Sequence, residues 1–325
     1  MIPTKVKELL EKQHYRIVGN HSAVKICNWT KNSLRGEGVC FKEKFYGIQS
    51  HRCCQMTPAV MWCPNSCLHC WRPIEYNLGD KINEKINSPS EILDGCIKER
   101  RNLLMGLKGN EKVDKKKFKE ALEPNLFTFS LSGEATLYPE LGELIKEVRR
   151  RKAISFLVTN GLYPEKIKEL EKENTLPTQL TLSVNSPNKI LYDKWHNSSI
   201  KNAWEKFNES LRLMKNLKGK TRTILRLTLV RNSKDGICNM KDEHIKEYTK
   251  MIKIAEPDFV HVKGYMSVGF ARKRLGYEKM PFYHEVGEFA EKLGKEANLN
   301  VLDNHEYSRT FVLGKDKDKM RITNQ

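Results

Sequence analysis

The segment CPNSCLHCWRP at residues 63–73 carries three cysteines within eight residues, separated by three and then by two positions. A single short loop can present three thiolates with this spacing to one metal centre. Structural zinc is usually held by paired C-x2-C segments and a complete set of four ligands. A [4Fe-4S] cluster is normally bound by four cysteines, so a loop with three leaves one iron open to another ligand. The spacing favours an open iron-sulfur site, with zinc completed by His51, His69 or another cysteine as the alternative.

The chain around this loop alternates short apolar or β-branched segments with longer helical ones, which is a β-α repeat. The candidate strands are 57–63, 126–132, 154–160, 179–185, 223–230 and 259–266. The candidate helices are 89–107, 138–151, 164–173, 201–217, 242–254 and 283–296. Such a repeat predicts an α/β fold of parallel strands with right-handed crossovers, either an open doubly wound sheet or a partial barrel.

Several predicted strands lead directly into segments that carry cysteines or polar side chains: the cysteine loop, LSGEATLYP (131–139), TNG (159–161) and SVNSP (183–187). Loops at the carboxyl ends of parallel strands form the binding face of such folds, so these segments should meet at one site. Residues 1–55 precede the repeat. We expect them to form an extension packed on that face, while residues 56–325 form the barrel and its C-terminal tail.

The 325-residue chain carries a formal charge of +18. This excess predicts a polyanionic partner through phosphate neutralisation, although basic stretches such as 112–120 and 149–152 are individually typical of solvated helix faces. No segment approaches the roughly 18 consecutive apolar residues of a spanning helix, and the N-terminus shows no export signal. Nine cysteines in such a chain fit a reducing interior, so we predict a cytoplasmic protein without membrane association.

Cys63, Cys67 and Cys70 resemble the C-x3-C-x2-Φ-C signature of radical S-adenosylmethionine (SAM) enzymes, with His69 in the usual aromatic position. The resemblance implies a partial (β/α)6 barrel of the TIM type, here with an N-terminal extension that bears further cysteines. It also implies that the amino and carboxylate groups of SAM chelate the fourth iron of the cluster. The cofactor would then take the place of a fourth cysteine.

The ends of the next three predicted strands carry residues that fit SAM binding. Gly133 allows the backbone to approach a ligand, and Glu134 can pair with the SAM ammonium. Their place after the second predicted strand is that of the family's Gly-Glu motif. Asn160 and Ser183, at the next two strand ends, are expected polar contacts to SAM, with a turn or cap role as the alternative for each.

Cys27, Cys40 and Cys53 form a second set, with twelve residues between successive members. Cysteines this scattered are often small buried hydrophobes. The sequence segments around them nevertheless closely resemble those of the archaeal 4-demethylwyosine synthases of the wybutosine pathway, and the resemblance extends from residue 5 to about residue 313. The matching segments include CFKEKFYGIQSHRC (40–53), QMTP (55–58), LSGEATLYP (131–139) and LPTQLTLSV (176–184).

This second resemblance implies that Cys27, Cys40 and Cys53 hold a second [4Fe-4S] cluster with an open iron, which faces the SAM cluster across the barrel mouth. The chain departs from the family pattern at Cys54, beside the expected ligand Cys53, and at Ala135, where proline is usual. The residues that follow Ser183 also differ from the family pattern. The remaining cysteines, Cys96 and Cys238, match no motif and are assigned no function.

The resemblance also implies a radical reaction on phenylalanine tRNA. Cleavage of SAM gives methionine and a 5′-deoxyadenosyl radical, which removes a hydrogen atom from the methyl group of N1-methylguanosine next to the anticodon. The resulting radical adds to C2 of pyruvate; loss of the carboxyl carbon as formate and ring closure give 4-demethylwyosine, a lyase-class reaction. A separate flavodoxin- or ferredoxin-like donor is expected to supply electrons, because the chain shows no flavin domain.

Two modes of pyruvate binding stay open. The open iron of the second cluster can chelate pyruvate, or a lysine amine can activate the ketone as a Schiff base. Lys42, two residues after Cys40, is the candidate lysine.

The target base must be drawn into a pocket, where aromatic rings and guanidinium planes stack well. Residues flanking the cysteines could line that pocket, although the two tryptophans could instead shield the clusters from solvent. These residues are Trp29, Trp71, Arg52 and Arg72, and Arg272, Lys273 and Arg274 are candidate phosphate contacts.

Two other functions compete with this one. The first is a radical SAM enzyme with an auxiliary cluster that modifies another RNA base or a peptide. The second is a non-catalytic, basic RNA-binding protein with a structural metal site. The Gly-Glu motif argues against the second, because a structural site has no use for a carboxylate directed at SAM.

Overall fold

A computed structural model describes residues 2–231 and 237–322 of the chain. Within these residues, ten β-strands form one sheet. Their bounds are Arg16–Val18 (β1), Ser22–Lys25 (β2), Cys53–Thr57 (β3), Leu126–Phe129 (β4), Ile154–Thr159 (β5), Gln179–Ser183 (β6), Arg222–Leu229 (β7), Phe259–Gly264 (β8), Asn300–His305 (β9) and Thr310–Gly314 (β10).

The strand order is β1-β2-β3-β4-β5-β6-β7-β8-β10-β9. The strands from β3 to β8 are parallel to their neighbours. The strands outside them, at either edge of the sheet, pair antiparallel. Six consecutive parallel strands joined by helical crossovers confirm the predicted α/β class and the partial (β/α)6 barrel.

The helices lie between and around these strands. Their bounds are Thr4–Lys12 (α1), Asn28–Arg35 (α2), Phe41–Tyr46 (α3), Pro89–Met105 (α4), Lys115–Ala121 (α5), Leu141–Arg150 (α6), Pro164–Lys172 (α7), Lys189–His196 (α8), Ala203–Asn216 (α9), Glu243–Ala255 (α10), Ala271–Leu275 (α11) and Tyr283–Ala297 (α12). The six helices predicted from periodicity are α4, α6, α7, α9, α10 and α12. None of the helices in the described part of the chain has the length and apolar character needed to cross a bilayer.

The first predicted strand, 57–63, is wrong. The strand is β3, which begins at Cys53, and the following residues form an irregular buried segment in which Met61 has a φ of +68°. Pro58 lacks the N–H that a sheet ladder requires, so this apolar stretch packs into the core without pairing. The division of the chain at residue 55 falls inside β3 and stays a prediction.

Helix α3 closes the amino end of the barrel. Phe45 and Tyr46 are buried against side chains from the strands, including Phe156 of β5 and Phe259 of β8. The Tyr46 ring also stacks on His261 of β8, and its hydroxyl forms a hydrogen bond with the His261 Nε2 atom. Apolar packing of this kind excludes water, so we infer that ligands reach the interior from the carboxyl ends of the strands.

Candidate functional site

The first cysteine triad lies on the connection between β3 and α4. All three thiols are free and half-buried. The Cys67 thiol lies 3.0 Å from Nδ1 of His196, and Asn160 Nδ2 lies 3.8 Å from the Cys63 thiol. Three unbridged thiols on one loop form a donor set that fits an iron-sulfur cluster with an open iron.

The alternative of a mononuclear zinc site has no geometric support. In the chain as described, from residue 2 to 231 and from 237 to 322, no three His, Cys, Asp or Glu side chains converge closely enough to hold one metal ion. His51 Nε2 lies 2.7 Å from Glu120 Oε2, and Nδ1 of His69 accepts a hydrogen bond of 2.7 Å from Trp195. Both candidate histidine ligands therefore have other partners.

Arg274 of α11 fixes the shape of the cysteine loop. Its guanidinium donates hydrogen bonds to the carbonyl oxygens of Leu68 (3.2 Å), Arg72 (3.3 Å) and Cys70. The prediction that Arg274 contacts phosphate is therefore wrong, because its donors are turned into the protein. Its neighbours Arg272 and Lys273 are exposed and stay candidates for that role.

Gly133 brings the Gly-Glu motif against the residues that precede the cysteine loop. Its φ is +65°, and a Cβ atom at this position would lie 1.8 Å from the carbonyl oxygen of Ala59. Only glycine permits both this conformation and this approach. The next residue, Glu134, then donates a 2.8 Å backbone hydrogen bond to the Trp62 carbonyl.

The buried carboxylate of Glu134 is held by the ends of two strands. Its Oε1 accepts from the backbone N–H (3.2 Å) and hydroxyl (2.8 Å) of Thr136, and its Oε2 accepts from the Asn160 N–H at 2.8 Å. Burial raises the pKa of Glu134, whereas these hydrogen bonds oppose the rise. A carboxylate has about four acceptor sites, so capacity is left for a ligand donor such as an ammonium.

Asn160 contacts both the Gly-Glu motif and the cysteine loop, and its expected contact to SAM stays a prediction. Its Oδ1 accepts from the Leu162 N–H at 3.0 Å, which is the turn contact expected of asparagine. Its backbone meets Glu134 and its amide group approaches Cys63. Asn160 thus connects the Gly-Glu motif to the first cysteine triad.

Ser183 lies beside a cation that the sequence reading did not single out. Nη2 of Arg226, on β7, donates a 3.0 Å hydrogen bond to the Ser183 hydroxyl on β6, and Nε of Arg226 is buried without a partner among the described residues. Burial lowers the pKa of Arg226 to about 10, and the nearby Arg72 adds to this effect. A buried guanidinium without a carboxylate partner favours an anionic ligand. A charge within the apolar strand TILRLTLV was the signal that could have identified it.

The second triad is gathered at the amino end of β3. Cys27 precedes α2, Cys40 precedes α3 and Cys53 is the first residue of β3. The pKa of the Cys40 thiol is raised to about 11, and burial is the main cause. Lys42 opposes this rise, whereas the thiols of Cys27 and Cys53 add to it. This triad lies at the opposite end of β3 from the first, and its expected position facing the first cluster stays a prediction. Cys54 points the other way, into the apolar core.

Lys42 joins this second triad. Its Nζ lies 3.7 Å from the Cys53 thiol, donates to Oγ1 of Thr128 at 3.1 Å and lies 5.7 Å from the centroid of the Phe156 ring. Burial alone would lower the pKa of Lys42, but the thiols of Cys53, Cys40 and Cys27 together raise it. The amine is therefore fixed inside the barrel beside the expected cluster ligands.

The four residues expected to line a base pocket differ in their surroundings. The Arg72 guanidinium lies 3.6 Å from the Trp71 ring centroid and donates to the Ser130 carbonyl at 2.8 Å. Trp29 packs edge-on against His305. Arg52 was placed wrongly, because its Nε donates to the Glu123 carbonyl on the outside of the barrel.

Family comparisons agree with this site. Residues 58–242 match the family model described as the radical SAM superfamily, and residues 254–315 match the model described as wyosine base formation. The fold and the three-cysteine loop thus define a radical SAM protein, a class that uses SAM and a [4Fe-4S] cluster.

Individual relatives narrow the class. The SAM-dependent tRNA 4-demethylwyosine synthase of Pyrococcus horikoshii is 45% identical over 316 residues, which cover 97% of this chain and 90% of the relative. The enzyme of Methanocaldococcus jannaschii is 35% identical over 98% of this chain and 99% of its own. The chain belongs to the family of SAM-dependent tRNA 4-demethylwyosine synthases.

Solved structures show the same fold over the full chain. A structure of TYW1 with a lysine-pyruvate adduct bound is 34% identical, with a TM-score of 0.84, and covers 100% of this chain and 99% of its own. A crystal structure of archaeal TYW1 is 30% identical, with a TM-score of 0.78, and covers 99% and 100% of the respective chains.

Proposed function

We propose that this chain forms 4-demethylwyosine in phenylalanine tRNA by condensing pyruvate with N1-methylguanosine. The observation that carries the proposal is the position of Lys42. Its amine contacts the Cys53 thiol and Thr128 inside the barrel, at one end of β3, while the radical SAM cysteines follow the other end. One interior thus offers a radical-forming site and a carbonyl-binding amine.

The radical SAM site would be held by the residues around the first loop. Cys63, Cys67 and Cys70 would bind the cluster, which with SAM supplies a 5′-deoxyadenosyl radical when bound. Gly133 and Glu134 would receive the SAM ammonium through backbone approach and the remaining carboxylate capacity.

The Ser183–Arg226 pair would hold the SAM carboxylate. The Arg226 guanidinium, oriented by the 3.0 Å hydrogen bond to Ser183, has an unpartnered buried Nε, and a ligand carboxylate satisfies it. Asn160, which meets Glu134 and approaches Cys63, would position both groups.

Cys27, Cys40 and Cys53 would hold a second [4Fe-4S] cluster. All three thiols act electrostatically on Lys42, and the three residues lie at the starts of three separate elements. Like the first triad, this set offers three thiolates and leaves room for another ligand.

Lys42 would activate pyruvate. Once it has lost its proton, the amine adds to the C2 ketone and, with loss of water, gives an imine that holds the substrate in place. Thr128 orients Nζ through its hydroxyl, and Phe156 provides an apolar wall on one side of the amine.

The tRNA would approach the open end of the barrel. The charge of +18 favours association with a polyanion, and the stacked Trp71–Arg72 pair at the edge of the interior offers a surface for a base. Electrons would come from a separate flavodoxin- or ferredoxin-like donor.

The test is an anaerobic assay of the reconstituted, reduced protein with SAM, pyruvate and tRNA that contains N1-methylguanosine. Mass spectrometry of the digested nucleosides should show 4-demethylwyosine only when pyruvate is present. Formation of 5′-deoxyadenosine with unchanged tRNA would refute the substrate and leave the radical SAM class. A Cys67→Ala variant provides the inactive control.

A further inference from the structure

Lys263 is a second interior lysine that neither the motifs nor the proposed reaction uses. It lies on β8, beside Thr228 of β7 in the parallel register. Its Nζ is 5.3 Å from the centroid of the Phe41 ring, and Phe41 separates Cys40 from Lys42 in the sequence. The side chain therefore crosses the interior toward the segment that carries the second triad and the proposed imine-forming lysine.

The charges around Lys263 are mostly positive. Lys42 and Arg226 act on it electrostatically, and the Cys40 thiol is the opposing group. Within the residues that the structure describes, Lys263 forms no ion pair with Asp or Glu, and the same holds for Lys42. A half-buried lysine without a carboxylate partner favours a bound anion, which would neutralise its charge.

Pyruvate has the geometry to be that anion. Once its C2 is bound to Nζ of Lys42, its carboxylate is one bond away from the bound carbon and can pair with a cation beside Lys42. Arg226 is already oriented by Ser183 toward the radical SAM side of the interior. Lys263 extends from β8 toward Phe41, which lies between Cys40 and Lys42 in the sequence.

We infer that Lys263 is a specificity-determining residue that binds the carboxylate of the 2-keto acid while Lys42 forms the imine. This inference rests on the proposed function. The ammonium of Lys263 selects keto compounds that carry a negative charge next to the carbonyl. It lowers the concentration of pyruvate needed for imine formation and has no effect on carbonyl compounds without that charge.

Borohydride trapping tests the inference without SAM or tRNA. The cluster-loaded protein is incubated with increasing pyruvate, reduced, and analysed by intact mass and peptide mapping. In the parent protein, pyruvate should be trapped on Lys42 at lower concentrations than pyruvamide, its uncharged analogue. In Lys263→Met, the pyruvate concentration for half-maximal trapping should rise by about tenfold to a hundredfold, as expected for loss of a charged hydrogen bond. The pyruvamide curve should not move.

Two variants separate a specific role from a structural one. Lys263→Arg should restore the preference for pyruvate, because it retains the charge. Lys44→Met removes a lysine of the same helix as Lys42, one that pairs with Asp303 at 3.1 Å, and should trap pyruvate as the parent does.

Three outcomes would overturn the inference. Lys263→Met could trap pyruvate as the parent does, it could lose trapping of pyruvamide as much as trapping of pyruvate, or the adduct could form on Lys263 itself. Absence of any adduct in the parent protein would instead refute the imine step of the proposed function.

Discussion

Thr128 Oγ1 accepts a hydrogen bond of 3.1 Å from Nζ of Lys42 and also lies 3.4 Å from the Cys53 thiol. One hydroxyl on β4 thus contacts both the proposed imine-forming amine and a proposed cluster ligand. The amine needs this orientation because a lysine side chain has several freely rotating bonds.

We expect Thr128→Val to impair imine formation. Valine keeps the shape of threonine but removes the hydroxyl that orients Nζ, and loss of one hydrogen bond to a charged group costs about 1.5–3 kcal/mol. Trapping of pyruvate at a subsaturating concentration should fall by roughly tenfold or more. The control is Thr128→Ser, which keeps the hydroxyl and should stay near the parent. Equal trapping by the valine variant would show that Thr128 has only a packing role.

Arg100 should be required for the second cluster. Its buried guanidinium on α4 donates to the carbonyl oxygens of Cys53 (3.1 Å), His51 (2.6 Å) and Ala121, which fixes the backbone that presents Cys53. We expect Arg100→Met to leave these carbonyls unsatisfied, at about 1–3 kcal/mol each, and to reduce the iron content per chain by up to half.

Iron analysis and visible absorption after anaerobic reconstitution measure that loss. The neighbouring Arg101 is a matched control, because its side chain is exposed and pairs with Glu123 at the surface. Arg101→Met should bind as much iron as the parent. Full iron content in Arg100→Met would contradict the positioning role.

Gly133→Ala should abolish SAM cleavage. A methyl group at this position meets the Ala59 carbonyl at 1.8 Å, so the backbone must move and Glu134 moves with it. Gly79 offers a control, because it also has a positive φ, +105°, yet nothing lies within 4 Å of a Cβ built there. Gly79→Ala should cost only about 1 kcal/mol of stability and keep activity. The amount of 5′-deoxyadenosine formed by each variant measures SAM cleavage. Activity in Gly133→Ala would show that the close contact between this position and Ala59 is not needed for SAM cleavage.

Stability should fall in mild acid, with His21 as one contributor. Burial lowers the pKa of His21, a ring fixed by a 2.6 Å contact between Nδ1 and the Pro58 carbonyl and by an Asn87 N–H that donates to Nε2 at 3.0 Å. The unfolded chain binds a proton near the ordinary pKa of about 6.5, whereas the folded ring stays neutral to lower pH. The free energy of unfolding is therefore fully retained above that pH and decreases below it, by up to about 1.4 kcal/mol per pH unit for each such histidine.

Thermal midpoints of the anaerobic protein between pH 7.5 and 5 test this prediction. His21→Gln keeps a donor and an acceptor without a titrating ring, so its midpoint should fall less steeply than that of the parent. The exposed His284 supplies the control variant His284→Gln, whose curve should follow the parent's. A parallel fall in all three proteins would remove His21 as a cause.

Local patterns were enough to predict much of the fold and part of the site. The helix α4, for example, begins where Ser88 and Glu91 form a reciprocal capping box, and such caps are visible in sequence. The spacing of Cys63, Cys67 and Cys70 is equally local. The place of β3 was not predictable in this way, because the buried segment after it is as apolar as a strand.

Contacts between distant elements were beyond the sequence reading. Arg226 and Ser183 meet because of the register of β6 and β7, and Lys263 reaches Phe41 across the barrel. Arg274 showed only a basic surface pattern, yet it binds the cysteine loop more than two hundred residues earlier. Such partners depend on how strands are aligned, which periodicity does not specify.

Closure of the amino end by α3 has a kinetic consequence. With Phe45 and Tyr46 filling that end in the described part of the chain, we expect every substrate to enter from the opposite end, which a bound anticodon loop would cover. Pyruvate and SAM must therefore enter before the RNA. The steady-state pattern should be compulsory-order, with excess tRNA inhibiting by blocking the entry of the smaller substrates.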